Sequence, residues 1–136
     1  MKLLMFYAKS FWSQTYQKTL PEAPDREGQE EAAEAVVVFY QAEAEDVGRE
    51  TALTAKLVKN VKWLAGKFGL KTVMLHSFGH LSSSKGPPEL ARGVVEAAKE
   101  KLVAGGLAVH ETPFGYLNEW KMHVAGPSLA KVFKEI

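Results

Sequence analysis

Apolar and polar positions divide the chain into short strand-like and helix-like stretches. Residues 2–8 alternate weakly and predict a first strand, and Phe11, Trp12, Thr15 and Tyr16 with polar spacers predict a second. Pro21 and Pro24 stop it, and the acidic, alanine-rich stretch 22–35 reads as a solvated connection. Residues 35–42 are almost continuously apolar and β-branched, the pattern of a central strand buried on both faces. Leu53, Leu57, Val61, Leu64 and Phe68 then recur every three or four positions, which predicts one face of an amphipathic helix over 47–68, ended by Gly69. Its other side carries Lys56, Lys59, Lys62 and Lys67: a solvated face, or a stripe for phosphates.

A strand over 71–75 runs into a polar loop, His76 to Ser84, before a second helix. Pro87 suits that helix's first position, Leu90, Val94, Ala98 and Leu102 form its buried stripe, and Gly105-Gly106 ends it. A short strand over 107–110, a turn at 112–115 and a strand over 116–124 follow, with Ser128 capping a terminal helix over 129–136. The order predicts an α/β fold, a mixed β-sheet with flanking helices, in one domain over residues 1–136.

Composition narrows the classes. A net charge of +1 gives no global basic field, so any nucleic-acid contact must come from a local patch. Cysteine is absent, which excludes disulfides and thiol chemistry and fits a cytoplasmic location. No apolar run has the length of a membrane span, so no membrane partner is expected. No glycine fingerprint for a nucleotide cofactor occurs, and no cofactor is expected.

Candidate chemistry centres on 76–84. His76 and His80 are four apart on a strand-to-loop segment rather than a helix, and no third ligand is suitably spaced, so no metal site is expected. His80 remains an acid/base group, a recognition residue or a structural histidine. Ser82, Ser83 and Ser84 lack a nucleophile elbow and are read as a helix cap or an anion contact. In Pro113-Phe114-Gly115-Tyr116, the glycine allows close backbone approach and the aromatics offer stacking surfaces, unless the segment is an ordinary turn. Along the strand that follows, Tyr116, Asn118, Trp120, Met122 and Val124 share one face, leaving Lys121 on a mostly polar face toward solvent.

With both loops in view, the chain resembles the archaeal threonyl-tRNA synthetase editing domain, which has the D-aminoacyl-tRNA deacylase fold. The likeness rests on Phe78-Gly79-His80-Leu81-Ser82-Ser83, parallel to a Pro-Phe-Ala-His-Leu-Ser-Ser type motif, and on Pro113-Phe114-Gly115-Tyr116 with Gly126 and Leu129-Ala130 beyond it. It implies proofreading hydrolysis of L-serine wrongly esterified to threonine tRNA. The pocket would be lined largely by main chain, with the terminal ribose 2′-hydroxyl of the tRNA helping to activate water. The walls implied are Phe39, Tyr40, Gln41 and Ala42, then Ser77, Phe78, Gly79 and His80, then Pro113, Phe114, Gly115, Tyr116, Leu117 and Asn118. His80 takes a supporting catalytic role, and Lys18 is a lysine that would have to reach the site from elsewhere. The partners implied are the aminoacyl-tRNA acceptor end, a second copy in a homodimer, and further synthetase domains or a separate synthetase chain.

Two positions depart from the family. Asn118 stands where many members have lysine, and Lys131 falls where they have an acid in the last helix. The alternatives are a D-aminoacyl-tRNA deacylase on the same fold, or a non-catalytic module for tRNA binding or dimerisation.

Overall fold

A computed structural model describes residues 1–136. The chain runs β1 (Lys2–Lys18), β2 (Gln29–Gln41), α1 (Glu50–Phe68), β3 (Thr72–Ser77), α2 (Pro88–Ala104), β4 (Ala108–Glu111), β5 (Tyr116–Val124) and β6 (Lys131–Glu135), with short 3₁₀ turns at Ala44–Asp46 and Ser128–Ala130. The sheet order is β4-β3-β2-β1-β5, and β6 also pairs with β1. Strands β2, β3 and β4 are parallel, so α1 and α2 are the crossovers that parallel neighbours require. β1 is antiparallel to everything it touches: Lys2 to Phe6 face β6, while Ala8 to Lys18 face β5.

Both helices pack on one face of the sheet. Leu3, Val36, Val38 and Leu75 of the strands meet Leu53 and Leu57 of α1 and Val94 and Leu102 of α2 in one buried cluster. Gly69 ends α1 in the left-handed conformation (φ 65°), its amide donating to the Ala65 carbonyl, which is the terminator its position predicts. The stretch 35–42 is buried throughout, as expected of a strand covered on both sides.

The other face is covered by the sheet folding over on itself. Phe11 pairs in register with Ala32, seven residues from Phe39 along β2, yet the Phe11 ring lies 6.1 Å from that of His76, the residue opposite Phe39. Likewise Trp120 on β5 reaches Phe39, with ring centroids 5.1 Å apart. The fold-over falls where β1 bulges against β5 between Ala8 and Ser10, and where Glu34 takes a positive φ of 49°. A second, smaller core of Ala8, Phe11, Val37, Phe39 and Met74 fills the bend.

Several sequence expectations are corrected. The two strands predicted over 2–16 are one strand, continuous through the polar Lys9-Ser10 step because β2 pairs with it on both sides of the bend. The predicted solvated connection shrinks, since β2 begins at Gln29 and its acidic first half is a paired strand. The predicted terminal helix is a 3₁₀ turn followed by β6, held by antiparallel pairing to Lys2–Phe6. Pro87 is the capping residue of α2, and Pro88 its first helical residue. No helix is long and apolar enough to cross a membrane.

Candidate functional site

Where β2 and β3 end side by side, the loop after β3 is fastened to Tyr40 and Gln41 of β2 and to Ala42 just beyond it. The Phe78 amide donates to the Tyr40 carbonyl and the Gly86 amide to the Ala42 carbonyl, each at 3.0 Å. Between them, the buried Gln41 side chain holds the loop by its carboxamide. Its Nε2 donates to the carbonyls of Ser82 and Ser84, both at 2.9 Å, and its Oε1 accepts from the amides of Leu81 (2.8 Å) and Ser82 (3.0 Å). Both amide hydrogens and both oxygen lone pairs are thereby used, the full capacity of the group. Gly86 is fixed by space: a Cβ there would stand 2.8 Å from the Glu43 carbonyl oxygen and 3.2 Å from Ala42 Cβ.

This loop encloses a cavity of about 150 Å³ at the strand ends and the start of α2. Its floor is Tyr40, Gln41 and Ala42; Ser77, Phe78 and Gly79 form a second wall, and Lys85, Gly86, Pro88, Ala91 and Phe114 complete it. A larger cleft of about 440 Å³ adjoins it, sharing Pro88 and Phe114, with Arg92, Glu111 and Tyr116 beyond. The ends of parallel strands beside a helix start are where open α/β sheets bind ligands. The small cavity is below the usual size of a small-molecule site and the cleft within it, so the pair suits a small group attached to a larger one. Phe114 is the shared wall, held by the Arg92 guanidinium 5.0 Å above its ring, and Arg92 in turn faces Glu111 at 3.5 Å.

Of the residues expected at the site, Tyr40, Gln41, Ala42, Ser77, Phe78, Gly79 and Phe114 line the small cavity. Pro113 and Tyr116 line the cleft. Phe39 alternates to the opposite face of the sheet, in the core of the bend. His80 is exposed and packs its ring edgewise on Phe78 at 5.2 Å, outside the cavity wall. Lys18 is ion-paired to Asp25 in a groove that shares Arg26 and Tyr116 with the cleft, and does not line the small cavity. Leu117 points to solvent from β5, and Asn118 lies opposite Thr15, its Nδ2 reaching only the Tyr116 carbonyl at 3.4 Å. Lys131 sits on β6 and donates to the carbonyls of Gly126 and Pro127.

The close approach at Gly115 is made by the chain itself. Its φ is 84°, a Cβ would stand 2.8 Å from Ala23 Cβ, and its carbonyl accepts from the amides of Thr19 and Leu20. The Tyr116 hydroxyl likewise donates to the Pro24 carbonyl and accepts from the Arg26 amide, stapling the loop between β1 and β2. No serine side chain caps α2, and the hydroxyls of Ser82 and Ser84 are already committed. Ser82 donates to Glu43 at 2.7 Å and Ser84 to Glu45, tying the loop to an acidic turn that would repel an anion.

Beyond the wall residues expected, Gln41 among them, the structure adds the loop-holding role of the Gln41 side chain, and Lys85, Arg92 and Glu111. Gln41 left one signal, as a polar residue closing an otherwise apolar strand. Arg92 and Glu111 left none, since each looks like an ordinary surface charge on its element.

The electrostatics divide the ionisable groups by role. The Ser82 hydroxyl, with the chain's amino group and Lys2, holds the Glu43 carboxyl down to about 2 despite its partial burial, so it is an anion at the loop's root. Burial and the nearby Glu111 carboxylate push the Tyr40 phenol well up, so it stays protonated. Burial lowers His76 to about 4, and the neutral ring shares a hydrogen bond of 2.9 Å between Nδ1 and the Thr112 hydroxyl. Around the cavity itself the ionisable side chains are thus the Tyr40 phenol, held protonated, and Lys85; no carboxylate or imidazole lines it.

Residues 1–136 match the family model of the archaea-specific editing domain of threonyl-tRNA synthetase. A threonine–tRNA ligase of Hyperthermus butylicus is 30% identical over 138 residues, covering 97% of this chain and 22% of the relative. That of Nanoarchaeum equitans is 32% identical over 124 residues, covering 88% of this chain and 19% of the relative. The chain thus spans about a fifth of the length of these relatives. Among solved structures, a c-Myc DNA unwinding element binding protein superposes with a TM-score of 0.63, covering 100% of this chain and 99% of that one. At 13% identity that likeness is one of fold. The architecture is the mixed α/β one that the order of elements predicts. On the match across its whole length, the chain belongs to the archaea-specific editing domain family of threonyl-tRNA synthetase.

Proposed function

We propose that the chain hydrolyses the ester between L-serine and threonine tRNA. Serine differs from threonine by one methyl, which a binding site can weigh at only about 1–3 kcal/mol, so a synthetase needs a second site that accepts the smaller residue. The observation that carries this reading is the small cavity walled by strand-end backbone, Ala42, Gly79 and Gly86, opening beside a cleft with room for a nucleoside. The seryl group enters the cavity and the terminal adenosine occupies the cleft against Phe114. Water adds to the ester carbonyl, the bond to the ribose oxygen breaks, and that oxygen leaves with a proton as free tRNA. Since neither a carboxylate nor an imidazole lines the cavity, the adjacent 2′-hydroxyl of the ribose orients the water and relays its proton.

Rates on L-seryl, L-threonyl and D-amino-acid esters of one tRNA test the reading. Preference for L-seryl supports it, and preference for D-esters assigns the fold-sharing D-aminoacyl-tRNA deacylase activity instead. Asn118 and Lys131 motivate a second reading, a module that binds tRNA without chemistry; binding with no hydrolysis of any ester selects it. We also propose that the domain works in the cytoplasm as a pair of copies, together with further synthetase domains or a separate synthetase chain. Leu117 and Phe133 on the edge strands β5 and β6 are about half exposed and offer a symmetric contact, which light scattering on the chain would detect.

A further inference from the structure

The outer face of α1 differs in kind from that of α2. On α2, Glu89, Glu96 and Glu100 alternate with Arg92, Lys99 and Lys101, and Arg92 pairs with Glu96 one turn on. On α1, the only acid is Glu50 at its first residue; beyond it stand Lys56, Lys59, Lys62 and Lys67, all exposed. The ion pairs of the fold involve the amino terminus, Lys2, Lys18, Arg26, Arg49 and Arg92, and no lysine of α1. At about 100° per residue, Lys56, Lys59, Asn60, Trp63 and Lys67 fall within one stripe, with like charges one turn apart, an arrangement that costs helix stability. Trp63 stands in that stripe with 45% of its surface exposed. A face needed only for solubility calls for neither one sign of charge nor an exposed indole.

Cations without partners, interleaved with an aromatic, match an RNA strand in charge and in stacking surface. The first turn of α1 adjoins the start of α2, across a groove lined by Glu50, Thr51 and Thr54 on one side and by Pro87, Glu89 and Leu90 on the other. The stripe begins at Lys56, about 9 Å along α1 from its first residue, and runs on for about 16 Å away from the site end, at 1.5 Å per residue. The geometry points to α1 as the surface that holds the phosphate backbone of the tRNA acceptor arm while its aminoacylated end occupies the cavity. The inference rests on the proposed function only for the identity of the RNA. The apolar side of α1 is spent in the core, so the helix has no face left to bury in a lipid surface.

The test compares the chain with a Lys56→Ala/Lys59→Ala/Lys67→Ala variant and with Trp63→Ala, alanine being the best helix former at exposed positions. Anisotropy of labelled, uncharged tRNA across a salt series reads affinity and its salt slope. Loss of three phosphate contacts lowers the slope by about 2 to 3 and the affinity by roughly 10-fold or more at 0.1 M salt, while three Lys→Arg changes preserve both. Hydrolysis of a seryl ester of adenosine alone, which is too short to reach α1, stays unchanged in every variant. An unaltered slope and affinity in the triple alanine variant would overturn the inference, as would binding to phosphatidylserine vesicles but not to tRNA. If no ester is hydrolysed at all, the proposed activity fails while the binding arm still decides the surface.

Discussion

Gln41 grips Ser82 from both sides of one residue, its Nε2 donating to the Ser82 carbonyl and its Oε1 accepting from the Ser82 amide. Together with the bonds to Leu81 and Ser84, one buried side chain converts an exposed loop into a wall of the cavity. At about 1 kcal/mol net per hydrogen bond, Gln41→Ala costs ~3 kcal/mol or more in urea unfolding and slows ester hydrolysis. Gln41→Glu is worse than its size suggests, because a carboxylate would face the carbonyls of Ser82 and Ser84 without donors. Equal stability of Gln41→Ala and the parent chain would show that the loop holds itself.

The buried ring of His76 makes stability depend on pH. Its folded pKa of about 4 lies below the ordinary value of 6.5, so between these limits the unfolded chain binds a proton that the folded chain does not. Stability is therefore unaffected above about pH 6.5 and falls as pH drops toward 4, by about 3 kcal/mol over the window. Glu43 acts lower, its contribution being present above about pH 4.3 and lost as pH falls toward 2. His76→Phe keeps an aromatic between Phe11 and Phe39 and should flatten the slope between pH 6.5 and 4 in urea unfolding series. A slope left unchanged by that substitution would place the titrating group elsewhere.

The glycines of the cavity separate space for the fold from space for the substrate. Gly86→Ala drives a Cβ against the Glu43 carbonyl and Leu90, an overpacking worth about 1–3 kcal/mol that should be visible as a lowered urea midpoint. Gly79→Ala meets nothing within 4 Å of the new carbon, and should leave stability within about 0.5 kcal/mol. Because Gly79 lines the cavity, its substitution should instead reduce hydrolysis of L-threonyl esters more than of L-seryl esters. Unchanged relative rates would move the amino-acid pocket away from this wall.

Where the hydrophobic pattern met local rules, the fold was legible. The buried run 35–42, the spacing of Leu53 to Phe68 and the stripe of α2 reported a central strand and two helices because the strand is buried on both faces and each helix along one. What could not be read were the strands made by distant partners. The acidic half of β2 extends because β1 lies beside it, and Lys131–Glu135 is a strand because Lys2–Phe6 offers an edge, where Ser128 alone suggested a cap. The two motif loops were found from sequence, but their parts were sorted by the sheet. Phe78 and Gly79 face the cavity, while Gly115 and Tyr116 fasten the loop at 19–26. The helix-facing and bend-facing sides of β2 decide that Tyr40 lines the cavity and Phe39 does not, a distinction invisible in a strand apolar on both faces.

Neither His80 nor Lys18 should be essential. Neither lines the small cavity: His80 stands outside its wall, and Lys18 is held by Asp25. His80→Ala should slow seryl ester hydrolysis by about 10-fold or less, below the ~100-fold minimum typical of a general acid or base, and Lys18→Ala should leave it unchanged. Single-turnover rates with saturating protein separate these effects from binding.

One comparison tests whether the RNA rather than a side chain handles the proton. Single-turnover hydrolysis is measured on seryl-tRNA whose terminal adenosine carries the 2′-hydroxyl and on the same ester with 2′-deoxyadenosine, with binding of each followed in parallel. Equal binding is expected, with a loss of ~100-fold or more in the hydrolysis rate of the deoxy substrate, the scale of a lost general acid or base. An undiminished rate on the deoxy substrate would contradict that role of the RNA.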